Sequence, residues 1–181
     1  MKILVLGIGN VMFSDEGVGV HLVKLLSQKY KFKSNEHSVD FMDGGTLAMY
    51  LMHIMVEYDQ ILLIDCLDAS NGAVGDVYFF NYEVMPKSIS WSGSAHEIEM
   101  LQTLQMLDLS GDRPLTQILG VIPKRIVPMN FKLSDEILKA SKTMEKKAVS
   151  FLHDLGFEYK IVEPNLTLQD IADEFDKKGK K

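Results

Sequence analysis

The stretch KILVLGIGNVMFSDEGVGVHLV, residues 2–23, decides the fold. Lys2 to Leu6 reads as a buried strand, and Gly7, Gly9 and Asn10 then turn the chain. The segment from Asp15 to Tyr30 reads as a helix, with Ser14 as its N-cap and Val18, Leu22, Leu25 and Leu26 as its apolar stripe. Strand, loop and helix in that order open an α/β domain.

The same residues exclude two familiar chemistries. A dinucleotide turn needs a third glycine where Met12 stands, and a phosphate loop needs a Gly-Lys-Ser/Thr that is missing here. Asp15 and Glu16 in the first helical turn also cancel the attraction of a helix N-terminus for an anion. A cation is the more natural guest.

Outward from this unit, His37 to Met42 predicts a second strand, Asp43-Gly44-Gly45 a turn, and Thr46 the cap of a helix carrying Leu47, Tyr50, Leu51 and Ile54. Gln60 to Cys66 is almost continuous in Ile and Leu, as a central strand covered on both faces should be. Val77 to Tyr82 alternates and predicts an antiparallel or edge strand. A helix from His96 to Leu107, a strand from Gln117 to Ile122 and a helix from Asp135 to Leu155, capped by Ser134 and ended by Gly156, complete the pattern, with Phe157 to Val162 as a last strand. The expected architecture is α/β: a three-layer sandwich whose mixed, mostly parallel central sheet of about five strands is flanked by helices. Residues 1–162 are expected to form a single domain. Residues 163–181 read as a C-terminal tail, partly helical or disordered, ending in solvated lysines.

With 181 residues and 46% hydrophobic content, one core is affordable and two are not. A net charge of −6 offers no footprint for a nucleic acid backbone. A lone cysteine, Cys66, excludes a disulfide framework or a thiolate zinc site, and fits a reducing, cytoplasmic setting. Neither a signal peptide nor a stretch able to insert in a membrane is recognisable.

Asp65 lies near the carboxyl end of the third strand, on the rim to which the loop before Glu16 leads, and Asp43 ends the second strand there. His96 stands after the Gly/Ser-rich loop Ser92-Gly93-Ser94-Ala95. Glu16, Asp65 and His96 together make an oxygen and nitrogen ligand set suited to zinc or nickel. Each has a plainer reading. Glu16, like Asp15, fits a helix dipole, Asp65 fits a hydrogen-bonded loop, and His96 fits an exposed helix start. His21, His37, His53 and His153 have no supporting neighbours and read as structural, Cys66 as a small buried hydrophobe, and the eleven methionines as core filling.

Gly7-Ile8-Gly9-Asn10, Asp15-Glu16-Gly17-Val18-Gly19, Asp43-Gly44-Gly45-Thr46, Ile64-Asp65-Cys66, Ser94-Ala95-His96-Glu97 and Gly120-Val121-Ile122-Pro123 occur in the order of one family. The chain resembles the hydrogenase maturation endopeptidases over about residues 2–155. The resemblance implies a hydrolase of aspartic or metal-dependent type that removes the C-terminal peptide of a nickel–iron hydrogenase large-subunit precursor once nickel has been inserted. It places the metal ligands on Glu16, Asp65 and His96. It gives Asp43 a part in cleavage or recognition, beside Glu16 and Asp65. Nickel would arrive with the precursor, and other divalent ions are expected to suit the same ligands. The precursor is the expected partner and a monomer the expected state. Cys66 departs from the alanine often found there. Two rival readings stand beside this one: a non-catalytic, nickel-dependent chaperone of the precursor, and a nucleotide- or nucleoside-binding α/β enzyme.

Overall fold

A computed structural model describes the backbone of residues 1–85, 89–90 and 95–179, and the side chains of these except 90, 95–98 and 178–179. In chain order the elements are β1 (Lys2–Ile8), a 3₁₀ turn (Ser14–Gly17), α1 (Val18–Lys29), β2 (Tyr30–Lys33), β3 (Ser38–Gly45), a second 3₁₀ turn (Ala48–Leu51) and α2 (Met52–Met55). They continue with β4 (Gln60–Cys66), β5 (Asp68–Ala69), β6 (Val77–Asn81), β7 (Ile89–Ser90), α3 (Ala95–Ser110), β8 (Leu115–Val121), α4 (Asp135–Asp154), β9 (Glu158–Ile161) and α5 (Leu168–Gly179).

The central sheet has five strands in the order β3-β1-β4-β8-β6. The first four are mutually parallel and β6 runs antiparallel to β8. This is the mixed, mostly parallel sheet that the apolar runs predict, with the alternating segment as its antiparallel edge. Along β1, Ile3 and Val5 point into one core, and Leu4, Leu6 and Ile8 into the other. The first core is closed by Leu22 and Leu26 of α1, Ile137 and Met144 of α4, and Ile171 of α5. The second is closed by Met55 of α2 and by Met100, Leu104 and Leu107 of α3. Among the described residues no helix is long and apolar enough to cross a membrane.

Several local readings are corrected. Ser14 does not cap α1: Gly17 holds that position without a side-chain hydrogen bond, and Ser14 sits in the left-handed region at φ 52°. Thr46 caps nothing, because β3 runs on through Asp43 to Gly45, and Leu47 precedes the 3₁₀ turn. The helix predicted to reach Tyr30 ends at Lys29. There Tyr30 to Lys33 pair with Ile161 to Glu158 as a separate antiparallel ribbon. The final strand therefore lies outside the main sheet, with Tyr30 stacked on Phe32 along the ribbon and Tyr159 edge-on to Tyr30.

The segment after Glu163 forms α5, whose Leu168, Ile171 and Ala172 are buried in the first core. Helix α5 runs antiparallel to α1. Leu168 and Gln169 lie near Leu25 and Lys29, whereas Glu174 pairs with Lys24 at 2.6 Å and the Phe175 ring lies tilted against His21. Its C-terminal half is thus carried toward the start of α1.

Candidate active site

Strand β1 has β3 on one side and β4 on the other, so the chain order reverses across it. In open α/β sheets, the crevice beyond the carboxyl ends of the strands at such a reversal is where ligands bind. The turn carrying Glu16 follows β1, and Asp65 lies near the end of β4, opposite Gly120 of β8.

The glycines of the opening stretch allow the turn to sit close to the sheet. Gly9 has φ 142°, and a Cβ there would lie 2.0 Å from the Glu16 carbonyl oxygen. A Cβ on Gly19 would lie 2.3 Å from the carbonyl oxygens of both Ile8 and Ile64. Close packing, not phosphate binding, is what these positions serve. The start of α1 is thereby wedged against the ends of β1 and β4, the two strands that frame the crevice.

Asp15 is fully buried, and its carboxylate is a structural clamp that neither the dipole reading nor the ligand reading of the sequence anticipates. One oxygen accepts from the Ser134 amide at 2.7 Å. The other accepts from the Ser134 hydroxyl at 2.8 Å and from the Lys124 and Arg125 amides at 3.1 Å each. Ser14 adds to the clamp: its hydroxyl donates to the Arg125 carbonyl at 3.1 Å and accepts from the Val127 amide at 3.0 Å. Ser134 also accepts from the Ile137 amide at 3.4 Å as the predicted cap of α4. Two sequence neighbours thus fix the loop after β8, the start of α4 and the turn that carries Glu16. The only sequence signal was the Ser-Asp pair itself, whose partners lie more than a hundred residues away.

Glu16 is 4% exposed and Asp65 is fully buried. One Asp65 oxygen accepts from the Cys66 amide at 2.7 Å, and the Cys66 thiol lies 3.3 Å from the Asp15 carbonyl oxygen, positioned to donate to it. The residues adjoining Glu16 and Asp65 are therefore in direct contact, which ties the two strand ends together. Cys66 is buried as expected, but it is also the link between them.

Alternation along β4 puts Ile64 and Cys66 in the first core and Leu63 and Leu67 in the second, so Asp65 faces the side covered by α3. His96 belongs to the first turn of α3, on that same side, and its side chain lies outside the described residues. Asp43 is placed differently. It is exposed near the end of the edge strand β3, accepts from the Gly45 amide at 2.9 Å, and lines a cavity with Lys24 and Phe175 on the α1 side. Glu16 follows β1 and Asp65 lies near the end of the adjacent strand β4, whereas Asp43 lies near the end of β3, on the other side of β1. Among the described residues, no group of three or more His, Cys, Asp and Glu side chains is placed to hold a metal ion. Two buried carboxylates suit a divalent cation that brings ligands of its own.

His21 is fully buried on α1, and both its ring nitrogens lack a hydrogen-bond partner among the described residues. Burial, reinforced by the Lys24 ammonium, pushes its pKa down from 6.5 to about 4. The ring is neutral at pH 7 and packs 5.3 Å from the Phe175 ring.

The fold is a three-layer α/β domain with two buried carboxyl groups, Glu16 and Asp65, near its topological switch point. The family model described as hydrogenase maturation protease matches residues 20–151. Protein HydD of Wolinella succinogenes is 46% identical over 154 residues, covering 84% of this chain and 96% of the relative. The hydrogenase 2 maturation protease of Escherichia coli is 33% identical over 130 residues, covering 71% and 77%. The structure of the hydrogenase maturating endopeptidase HybD from E. coli superposes with a TM-score of 0.77 at 27% identity, over 89% of this chain and 98% of that one. The chain belongs to the hydrogenase maturation protease family, whose members are endopeptidases.

Proposed function

We propose that this protein cuts the C-terminal peptide from a nickel–iron hydrogenase large-subunit precursor after nickel insertion, and that it reads the inserted nickel through Glu16, Asp65 and His96. The observation that carries this reading is the pair of buried carboxylates, Glu16 after β1 and Asp65 near the end of β4, whose neighbours Asp15 and Cys66 are in contact. Nickel arrives as part of the substrate. In this reading the two carboxyl groups bind a precursor that presents the cation and leave an unloaded one undocked. Asp43, exposed at the β3 edge, is assigned to recognition or cleavage of the segment to be removed. The soluble precursor is met in the cytoplasm by a monomer, where the buried Cys66 stays reduced.

The test is mass spectrometry of a large-subunit precursor incubated with the protein, with and without nickel loading, and with Glu16→Ala as the control. A C-terminal fragment released only from loaded precursor, and only by the unmodified protein, is the expected result. Binding without a fragment replaces the endopeptidase by a nickel-dependent chaperone. Full processing by Glu16→Ala overturns the ligand assignment.

A further inference from the structure

The ribbon of β2 and β9 stands apart from the main sheet, and among the described residues β9 is hydrogen-bonded to β2 alone. The Val162 amide donates to the Lys29 carbonyl at 2.8 Å, which fixes the phase of the ladder. Lys160 and Glu158 therefore bond with Lys31 and Lys33, and the amides and carbonyls of Tyr159 and Ile161 are aimed away from β2. Both residues are 46% exposed. An exposed strand whose backbone groups are unpaired is a template for a further strand.

The open edge adjoins a notch. A cavity of about 310 Å³ lies between the ribbon and α4, lined by Tyr30, Tyr159 and Ile161 on one side and by Lys146, Ser150 and His153 on the other. Alternation puts Tyr159 and Ile161 on the ribbon face that meets α4, where the His153 ring stands edge-on to Tyr159 at 6.4 Å. A strand added along β9 points every second side chain into this notch.

Charge selects the occupant. Glu145, which precedes Lys146, is already engaged: it pairs with Lys29 at 2.9 Å and accepts from the Tyr30 hydroxyl at 2.6 Å. Asp154 lies 3.9 Å from Nδ1 of His153. Lys146 has no carboxylate within ion-pair distance among the described residues, and neither have Lys31, Lys33 and Lys160 of the ribbon. Glu158, opposite Lys33, is the single acid of the two strands. In a chain of net charge −6 this is a local excess of ammonium groups, with Lys146 on the notch side of the open edge and Lys160 on the other. Two amides and two carbonyls hold a strand weakly, so an occupant also needs charges that answer the lysines.

We propose that the β9 edge is a docking site for an extended acidic segment of a partner protein, which adds to the ribbon as a third strand. Its backbone pairs with Tyr159 and Ile161, an inward glutamate or aspartate reaches Lys146, and an outward one meets Lys160. The ribbon begins where α1 ends, whereas the Glu16 turn stands at the start of α1. A docked partner thus leaves the carboxyl end of the sheet open, and the assignment does not depend on the protease reading.

The test is titration of the full-length protein with a short synthetic peptide of alternating glutamate and valine, blocked at both ends, read by fluorescence anisotropy and amide hydrogen exchange. The acidic peptide is expected to bind and to slow exchange at Tyr159 and Ile161, and its lysine counterpart is expected not to bind. N-methylation of the peptide amides along one edge, which leaves the protein untouched, should weaken binding about tenfold, and Lys146→Glu about fivefold. Ile161→Pro removes an outward amide while keeping the bonds to β2, and should weaken binding as well. Added salt should weaken binding to the unmodified protein. The proposal is overturned by an acidic peptide that does not bind, by equal binding of the lysine peptide, or by binding that leaves the Tyr159 and Ile161 amides unprotected. Affinity unchanged by both N-methylation and Lys146→Glu overturns it too. A dimer of the unmodified protein in sedimentation, dispersed by Ile161→Pro, assigns the edge to a second copy of the chain and has the same consequence.

Discussion

The turn after β1 and the exit of β3 both deliver carboxylates to the carboxyl end of the sheet, yet they are built differently. Asp15, beside Glu16, is buried and accepts four hydrogen bonds from the loop after β8 and the start of α4. Asp43 is exposed and accepts one, from the Gly45 amide two residues on. The residues following Asp43 continue the contrast, with Leu47 and Tyr50 56% and 74% exposed. A ligand set must be held to a fraction of an ångström by its supporting shell, whereas a surface that accepts a polypeptide gains from being able to move. The fold puts rigidity at the switch point and adaptability at the sheet edge.

Removing the Asp15 carboxylate is the largest blow this contrast predicts. Asp15→Ala leaves the Ser134 amide and hydroxyl and the Lys124 and Arg125 amides without their acceptor. The expected loss is about 3 kcal/mol. Asp15→Asn should cost roughly half of that, because its amide oxygen can still serve the three-donor side while its NH₂ group opposes the Ser134 amide. Urea denaturation with unchanged m-values reads both numbers. A loss below about 0.5 kcal/mol for the alanine variant would mean the clamp is dispensable, and the rigid side of the comparison would fall.

A smaller effect is expected from His21, which lies between the clamp and α5. Its folded pKa of about 4 is below the unfolded 6.5, so on acidification the unfolded chain takes up a proton that the folded one refuses. Stability that is fully present above pH 6.5 is therefore lost as the pH falls from 6.5 toward 4. Between pH 7 and pH 5 the loss is about 2 kcal/mol. His21→Leu should flatten that part of the stability profile. An unchanged slope in the variant would assign the acid sensitivity to other groups.

How much of this was legible in the sequence depends on how far each contact reaches along the chain. The sheet was legible because period-2 alternation and continuous apolar runs report local burial, and Gln60–Cys66 and Val77–Asn81 both lie where those patterns put them. That Asp65 lies near the end of β4 and Glu16 in the turn after β1 followed from the strand pattern alone. Ser14 misled, since the same hydroxyl suits a helix cap or a distant loop, and only the fold decides that its partners are Arg125 and Val127. Asp15 was hidden for the same reason. The burial of α5 was hidden too, because the amphipathic pattern of Leu168, Ile171 and Ala172 signals a helix face without saying what covers it.

The smallest structural effect belongs to Asp43, and it sharpens the comparison most. Asp43→Ala forfeits one exposed hydrogen bond to a near neighbour on an edge strand, for which about 0.5 kcal/mol or less is expected. Processing of the precursor should nevertheless slow markedly, because the carboxylate is assigned to the cut segment and not to the fold. Stability and activity then respond in opposite proportion at the two sites: Asp15→Ala harms the scaffold first and activity through it, whereas Asp43→Ala harms activity alone. Denaturation midpoints measured beside processing rates on the same preparations decide the matter. If Asp43→Ala unfolds as readily as Asp15→Ala, the β3 exit is as rigid as the turn and the division of labour is wrong. If it is stable and fully active, the edge carboxylate has no part in the reaction, and the proposed role of Asp43 falls while that of Glu16 and Asp65 stands or falls on its own test.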